Sequence, residues 1–246
     1  MLELTNLSYP KRLNNVNYCA SAGRLVGVIG ANGSGKSTLL SIIAGALKKA
    51  NGEVKWHSDD LLHCSPSEQR QQLAYLAQKN EFREPVRVSD LLLTSQVNIK
   101  ESSATLSAWR ERSIDEFHLG NLLSRAITEL SGGEQRRVML ACIYAMNRSL
   151  LLADEPTASL DLHYQLLVMD WLKAMSKEGK LVLVALHDLA LAAQYCDELL
   201  LLNEGQLIAS GEPNQVLTDT NLAAAYKVSV DWLCNSNGVA MLARRL

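Results

Sequence analysis

Gly30-Ala31-Asn32-Gly33-Ser34-Gly35-Lys36-Ser37 matches the spacing GxxxxGK[ST] without a gap. Glycines at these positions let a loop close around phosphate, with successive backbone N–H groups aimed at oxygens. Lys36 places an ammonium for the β- and γ-phosphates of a nucleoside triphosphate, and the Ser37 hydroxyl suits Mg²⁺. Thr38 is spaced to donate to the α-phosphate. The plainer reading, a glycine-rich turn joining strand to helix, is outweighed by the full match in the right context. Far downstream, Leu150-Leu151-Leu152-Ala153 runs into Asp154-Glu155, so two carboxylates emerge at the end of an apolar strand. Beside a phosphate loop, such a strand end is where a metal and an attacking water are handled. Asp154 is then the Mg²⁺ residue and Glu155 the group that polarises the water. Alone, the pair would be no more than an acidic junction before Pro156.

These groups need rigid elements behind them. Residues 2–8 alternate as a strand does, and residues 24–29 form a β-branched run ending at the phosphate loop. Apolar residues at Leu39, Leu40, Ile42, Ile43 and Leu47 predict a helix over 36–47, with Gly45 a late interruption. Asn51-Gly52 reads as a turn, followed by strands at 53–56 and 74–77. From 80 to 146 the pattern becomes mostly helical. Residues 150–153 and Leu181–Ala185 are almost continuously apolar, as central parallel strands are when both faces are covered. A helix over 162–175 lies between them, ending near Lys177-Glu178-Gly179. Strands at 199–203 and 206–210 flank Glu204-Gly205, a hairpin turn. Strands alternating with helices predict an α/β fold with a largely parallel sheet.

Composition narrows the function classes. The chain has 246 residues, with 24 basic and 26 acidic side chains and a formal charge of −2. No strong global field draws it to nucleic acid or to an anionic membrane. Hydrophobic residues at 48% and charged residues at 20% fit a folded soluble protein, and aromatic content of 5% leaves the core to aliphatic side chains. No secretory leader pattern is read at the N-terminus. The longest apolar runs, such as residues 181–186, fall far short of the roughly 20 residues that span a bilayer. Cys19, Cys64, Cys142, Cys196 and Cys234 are scattered with no CxxC pair, which predicts reduced thiols serving as packing residues.

A phosphate loop serves many protein classes, and Leu130-Ser131-Gly132-Gly133-Glu134-Gln135 chooses among them. This stretch resembles the signature sequence of the ATP-binding subunits of ABC transporters, here combined with a phosphate loop and an LLxDEP strand. The resemblance covers essentially the whole chain. It implies a single ABC ATPase domain over 1–246: a P-loop NTPase core with a mainly parallel sheet, an N-terminal antiparallel β sub-domain and an inserted helical sub-domain. Core and β sub-domain would occupy 1–79 and 147–246, and the helical sub-domain 80–146. Gln78 resembles the Q-loop glutamine that reaches Mg²⁺ and couples the core to the helical sub-domain. Ser159-Leu160-Asp161 resembles the D-loop, and His187 the switch histidine that contacts the γ-phosphate. The family usually stacks adenine on an aromatic side chain shortly after the first strand. Tyr9 is the candidate, but its connection to Leu13 is shorter than the family's and Pro10 biases it to extended geometry. A base contact supplied elsewhere stays open.

The resemblance also implies ATP and Mg²⁺ as ligands and a homodimer in the ATP-bound state. In that pairing the signature residues of one copy act on the ATP of the other. Partners would be polytopic membrane permease subunits and, through them, a substrate-binding protein, with no nucleic acid. Residues 186–197 and 211–226 resemble segments typical of ATPases serving iron–siderophore, haem and cobalamin uptake. The expectation is therefore an ATPase at the cytoplasmic face of the inner membrane, peripheral to it, powering uptake of an iron complex, siderophore or haem. Cobalamin is the alternative cargo. A non-transport ABC ATPase and a nucleotide-dependent binding module with little turnover are the rival classes.

Overall fold

The computed structural model describes residues 1–78, 82–235 and 238–245. The chain opens with strands β1 (Leu2–Tyr9), β2 (Leu13–Ala20) and β3 (Leu25–Ile29), and helix α1 (Lys36–Ile43) follows the phosphate loop. Next come β4 (Asn51–Trp56), β5 (Asp59–Asp60), α2 (Pro66–Gln72) and β6 (Leu73–Leu76). A helical stretch holds α3 (Val88–Ser95), α4 (Ser103–Glu116) and α5 (Gly132–Met146). Strand β7 (Leu150–Asp154), α6 (Leu162–Lys177), β8 (Leu181–Ala185) and α7 (Leu189–Tyr195) return to the alternating pattern. The remainder is β9 (Glu198–Asn203), β10 (Gln206–Gly211), α8 (Pro213–Val216), α9 (Asp219–Tyr226), β11 (Val228–Asn235) and β12 (Gly238–Arg245).

The central sheet has the order β10-β9-β3-β8-β7-β6, parallel except for the antiparallel edge strand β10. A second, antiparallel sheet has the order β2-β1-β4-β5. Side chains alternate across each central strand, and the core divides accordingly. Val26, Val28, Leu150, Leu152, Leu181 and Leu183 pack with α1 and the antiparallel sheet. Leu25, Ile29, Leu151, Ala153, Val182 and Val184 pack with α5, α6 and α7. Burial on both faces explains why these strands read as unbroken apolar runs. The phosphate loop, Asp154-Glu155 and His187 all follow carboxyl ends of neighbouring strands, and Asp154 is in register with Ala185. That edge is where ligands of open α/β sheets bind.

Several boundaries differ from the sequence reading. Helix α1 ends at Ile43, because Gly45 adopts φ 68° and its N–H bonds back to the Ile42 carbonyl, closing the helix three residues after Ile42. Asn51-Gly52 is no turn: it lies within β4, where Gly52 at φ 100° accommodates a register shift against β1 between Thr5 and Ser8. Helix α2 has no buried face to give it a pattern, whereas strand β2 and the hairpin β11–β12 lie outside the sequence reading although Val16-Asn17-Tyr18 and Val228-Ser229-Val230-Asp231-Trp232 alternate apolar and polar residues. Cys19, Cys64, Cys142 and Cys196 are free, and Cys142 and Cys196 are buried, which pushes both thiols up to about 12. The side chain of Cys234 lies outside the described residues.

Candidate nucleotide-binding site

Strand β3 delivers the chain to Gly30 and α1 carries it away after Gly35. Glycine is obligatory at both ends. A Cβ at Gly30 (φ 148°) would lie 2.3 Å from the Leu202 carbonyl oxygen, and one at Gly35 (φ 109°) 2.9 Å from the Arg12 carbonyl oxygen. Lys36 is buried, and its Nζ donates to the carbonyls of Gly30 at 2.8 Å and Ala31 at 3.2 Å. Burial lowers the Lys36 pKa, and Glu155 and Asp154 pull it back up. Ser37 Oγ donates to Asp154 Oδ1 at 3.1 Å. Asp154 is 1% exposed; burial raises its pKa, against the opposing Ser37 hydrogen bond. Ser34 is buried beneath the loop with its hydroxyl unpartnered, and its carbonyl accepts the Gly205 N–H at 3.0 Å.

Lys36, Ser37 and Thr38 share one wall of a 310 Å³ cleft with Asn32, Gly33 and Gly35. Gln78, Glu155, His187 and Arg12 complete it. Glu155 has φ 50°, a left-handed conformation unusual for a non-glycine residue, and its N–H bonds to the Ala185 carbonyl at 3.2 Å. That bend turns its carboxylate towards the loop after β8, where Oε1 lies 2.5 Å from His187 Nε2. A carboxylate only accepts, so Nε2 carries the shared proton. Asp188 then caps α7, accepting from the N–H groups of Ala190 and Leu191.

The sequence reading missed two residues here. Arg136, buried in α5, donates to the carbonyls of Ala77 (2.9 Å), Asp154 (2.7 Å) and Glu155 (2.7 Å). It also reaches those of Gln78 and Pro156. One guanidinium thus ties α5 to the ends of β6 and β7. Its signal was visible: Arg136, Leu140 and Ile143 are spaced to share a helix face, and the latter two are apolar. Arg12 is the second, exposed at the mouth of the cleft.

The signature residues and the D-loop lie next to one another but do not line the cleft of their own chain. Leu130 is buried, and Ser131 caps α5 by a reciprocal box: its Oγ accepts the Glu134 N–H at 3.3 Å while Glu134 Oε2 accepts the Ser131 N–H at 2.9 Å. Gln135 donates to the Ile127 and Leu130 carbonyls, bracing the loop. Gly132 has open space where a Cβ would stand, and Gly133 faces the Ser159 carbonyl. Ser159 has φ 64°, Leu160 is buried and Asp161 caps α6 through the Tyr164 N–H. Tyr9 does not reach the phosphate cleft. It is partly buried against the apolar cluster under the antiparallel sheet and lines a neighbouring 410 Å³ cleft.

The metal fit rests on oxygen donors. Among the described residues no cluster of three or more His, Cys, Asp or Glu forms a cage. Ser37 and Asp154 give a hydroxyl–carboxylate pair, which suits Mg²⁺, an ion that takes few protein ligands and completes its shell with phosphates and water. Among the described residues no helix is long and apolar enough to cross a membrane.

Comparison with known proteins agrees with this geometry. Residues 13–158 match the family model described as ABC transporter. The hemin import ATP-binding protein HmuV of Nocardia farcinica is 36% identical over 226 residues, covering 90% of this chain and 77% of its own. The cobalamin import ATP-binding protein BtuD of Halobacterium salinarum is 34% identical over 221 residues, covering 89% of this chain and 56% of its own. A solved ATP binding subunit of an ABC transporter superposes with TM-score 0.81 at 25% identity, covering 92% of this chain and 94% of that one. An α/β core, a phosphate loop facing an Asp-Glu strand end and a capped LSGGEQ helix come together in one chain: it belongs to the ABC transporter family, as an ATPase domain.

Proposed function

We propose that this chain hydrolyses ATP at the cytoplasmic face of the inner membrane to power uptake of an iron complex, haem or a siderophore, through polytopic permease subunits and a substrate-binding protein. The observation that carries the catalytic part is the convergence of Lys36, Ser37, Glu155 and His187 on one cleft, with Asp154 bonded to Ser37 behind it. Residues Gly30 to Thr38 wrap the phosphates, their N–H groups and the α1 N-terminus facing the anion. Lys36, which here caps two carbonyls of its own loop, binds the β- and γ-phosphates. Mg²⁺, held by Ser37 and Asp154 with Gln78 at the cleft wall, supplies charge neutralisation of the phosphates when bound. Glu155 accepts the proton of the attacking water. His187 holds the Glu155 carboxylate in place through their hydrogen bond and presents its ring to the γ-phosphate.

Ser131, Gly132 and Gly133 stand at an exposed helix start away from the cleft of their own chain, so they act on the ATP of a second copy in a homodimer, with Leu130, Glu134 and Gln135 shaping that loop. Ser159-Leu160-Asp161, beside Gly133, meets the same copy. Closure excludes water and aligns the nucleophile. Haem is the first cargo because the HmuV relative is a hemin import ATP-binding protein. Cobalamin is the second, supported by the BtuD relative.

The test is recovery of the chain with its permease from detergent-solubilised membranes, reconstitution in vesicles, and ATP-dependent uptake assays with haem, a ferric siderophore and cobalamin. Uptake of an iron complex supports the reading. Uptake of cobalamin alone moves the assignment to that cargo, and a chain that recovers no membrane partner overturns the transport role.

A further inference from the structure

The β1–β2 connection is a four-residue reverse turn. The Tyr9 carbonyl accepts the Arg12 N–H at 3.0 Å, Pro10 stands second and Lys11 takes φ 61°. The turn is wedged against the phosphate loop. A Cβ at Gly205, in the β9–β10 turn, would meet the Arg12 carbonyl oxygen at 2.6 Å, and one at Gly35 the Leu13 side chain at 2.8 Å. The Gly205 N–H donates to the Ser34 carbonyl and the Gly205 carbonyl accepts the Asn14 N–H at 2.8 Å. Three backbone segments are therefore locked together, and the position of the Arg12 Cα follows the phosphate loop. The side chain is free by contrast. No hydrogen bond, ion pair or ring contact engages the Arg12 guanidinium among the described residues, although Glu204 lines the same neighbouring cleft.

Arg12 lines both the 310 Å³ phosphate cleft and the 410 Å³ cleft beside it. A triphosphate seated on Lys36 already meets backbone N–H groups and the α1 N-terminus, and its nucleoside end must leave that cleft. Tyr9 lines only the second one, with its ring packed against the core. A guanidinium is flat, weakly hydrated and stacks on π faces. We propose that Arg12, rather than Tyr9, holds the nucleoside end of the bound triphosphate by laying its guanidinium on the base. This rests on the nucleotide-site reading above. Every base presents a π face to such a stack, so the site discriminates weakly between purines.

The experiment is calorimetric titration of the full chain with Mg²⁺ and ATP, GTP or inorganic tripolyphosphate, in the wild type and in Arg12→Ala, Tyr9→Ala and Lys36→Ala. Arg12→Ala is expected to weaken ATP and GTP about tenfold while leaving tripolyphosphate unchanged. Tyr9→Ala is expected to leave all three unchanged, and the wild type to bind both nucleotides with similar affinity. Parallel loss of tripolyphosphate in Arg12→Ala would make Arg12 a phosphate contact and overturn the proposal, as would a loss carried by Tyr9→Ala. Lys36→Ala separates the two levels: it should weaken all three ligands, and if it weakens none the nucleotide-site reading itself fails.

Discussion

Replacing Arg136 with Met removes the guanidinium and keeps most of the apolar stem. Five backbone carbonyls, those of Ala77, Gln78, Asp154, Glu155 and Pro156, then lose a donor. Each buried acceptor left unmet costs about 1–3 kcal/mol. The sum overshoots, because carbonyls keep a second lone pair and water enters the space left behind. Loss of one partner from a buried charged network costs about 3–5 kcal/mol. That is a large part of the roughly 5–15 kcal/mol by which a domain is stable, and corresponds to a Tm lower by roughly 6–20 °C. Two of these carbonyls are those of Asp154 and Glu155 themselves, so hydrolysis should fall further than binding. We expect Arg136→Met to lower kcat by at least about tenfold, equivalent to about 1.4 kcal/mol, with ATP affinity nearly intact. Scanning calorimetry and steady-state ATPase assays measure both. Arg137→Met, whose guanidinium reaches one carbonyl and lies over the Tyr164 ring, is the control and should lose less. A normal Tm and normal kcat in Arg136→Met would refute the assignment of Arg136 as the tie between α5 and the catalytic strand end.

Two further outcomes follow from the electrostatics. Burial raises the Asp154 pKa in the folded state, so the ionised carboxylate costs stability above that pKa and the cost disappears as pH falls through it. Asp154→Asn should therefore raise Tm at neutral pH by a few degrees, with the gain shrinking in acid, while Mg²⁺-dependent hydrolysis is lost; a lowered Tm at neutral pH would contradict this. Thiol alkylation at pH 8 should label exposed Cys19 quickly and spare Cys142 and Cys196, whose thiols are pushed up to about 12 by burial. Mass spectrometry of the labelled native chain reads the order, and early labelling of Cys142 would mean that α5 opens readily.

Elements with strong pattern were legible in the sequence. Strands β3, β7 and β8 announce themselves because burial on both faces demands unbroken apolar runs, and the phosphate loop because glycine is enforced at Gly30 and Gly35. What was not legible depends on partners without side-chain identity. Arg136 acts entirely on backbone carbonyls, so its place on the apolar face of α5 marks it as buried while no second residue type reveals what it binds. The end of α1 at Ile43 depends on Gly45 turning left-handed, whereas the apolar spacing runs on to Leu47. Gly52 looks like a turn residue and instead sits in a bulge, which only the pairing of β1 with β4 creates. Tyr9 is aromatic and closes the first strand, yet a short turn packs it against the core and leaves Arg12 at the cleft.

On the proposed function, each ATP cleft is completed by the signature glycines of a second copy. The most direct measurement mixes two inactive chains, Lys36→Ala and Ser131→Arg, and compares ATPase activity with each alone. In the mixed dimer one site joins an intact phosphate loop to an intact signature helix, so activity should rise above the sum of the separate chains. Full activity of Ser131→Arg alone, or a mixture no more active than its parts, would contradict the account.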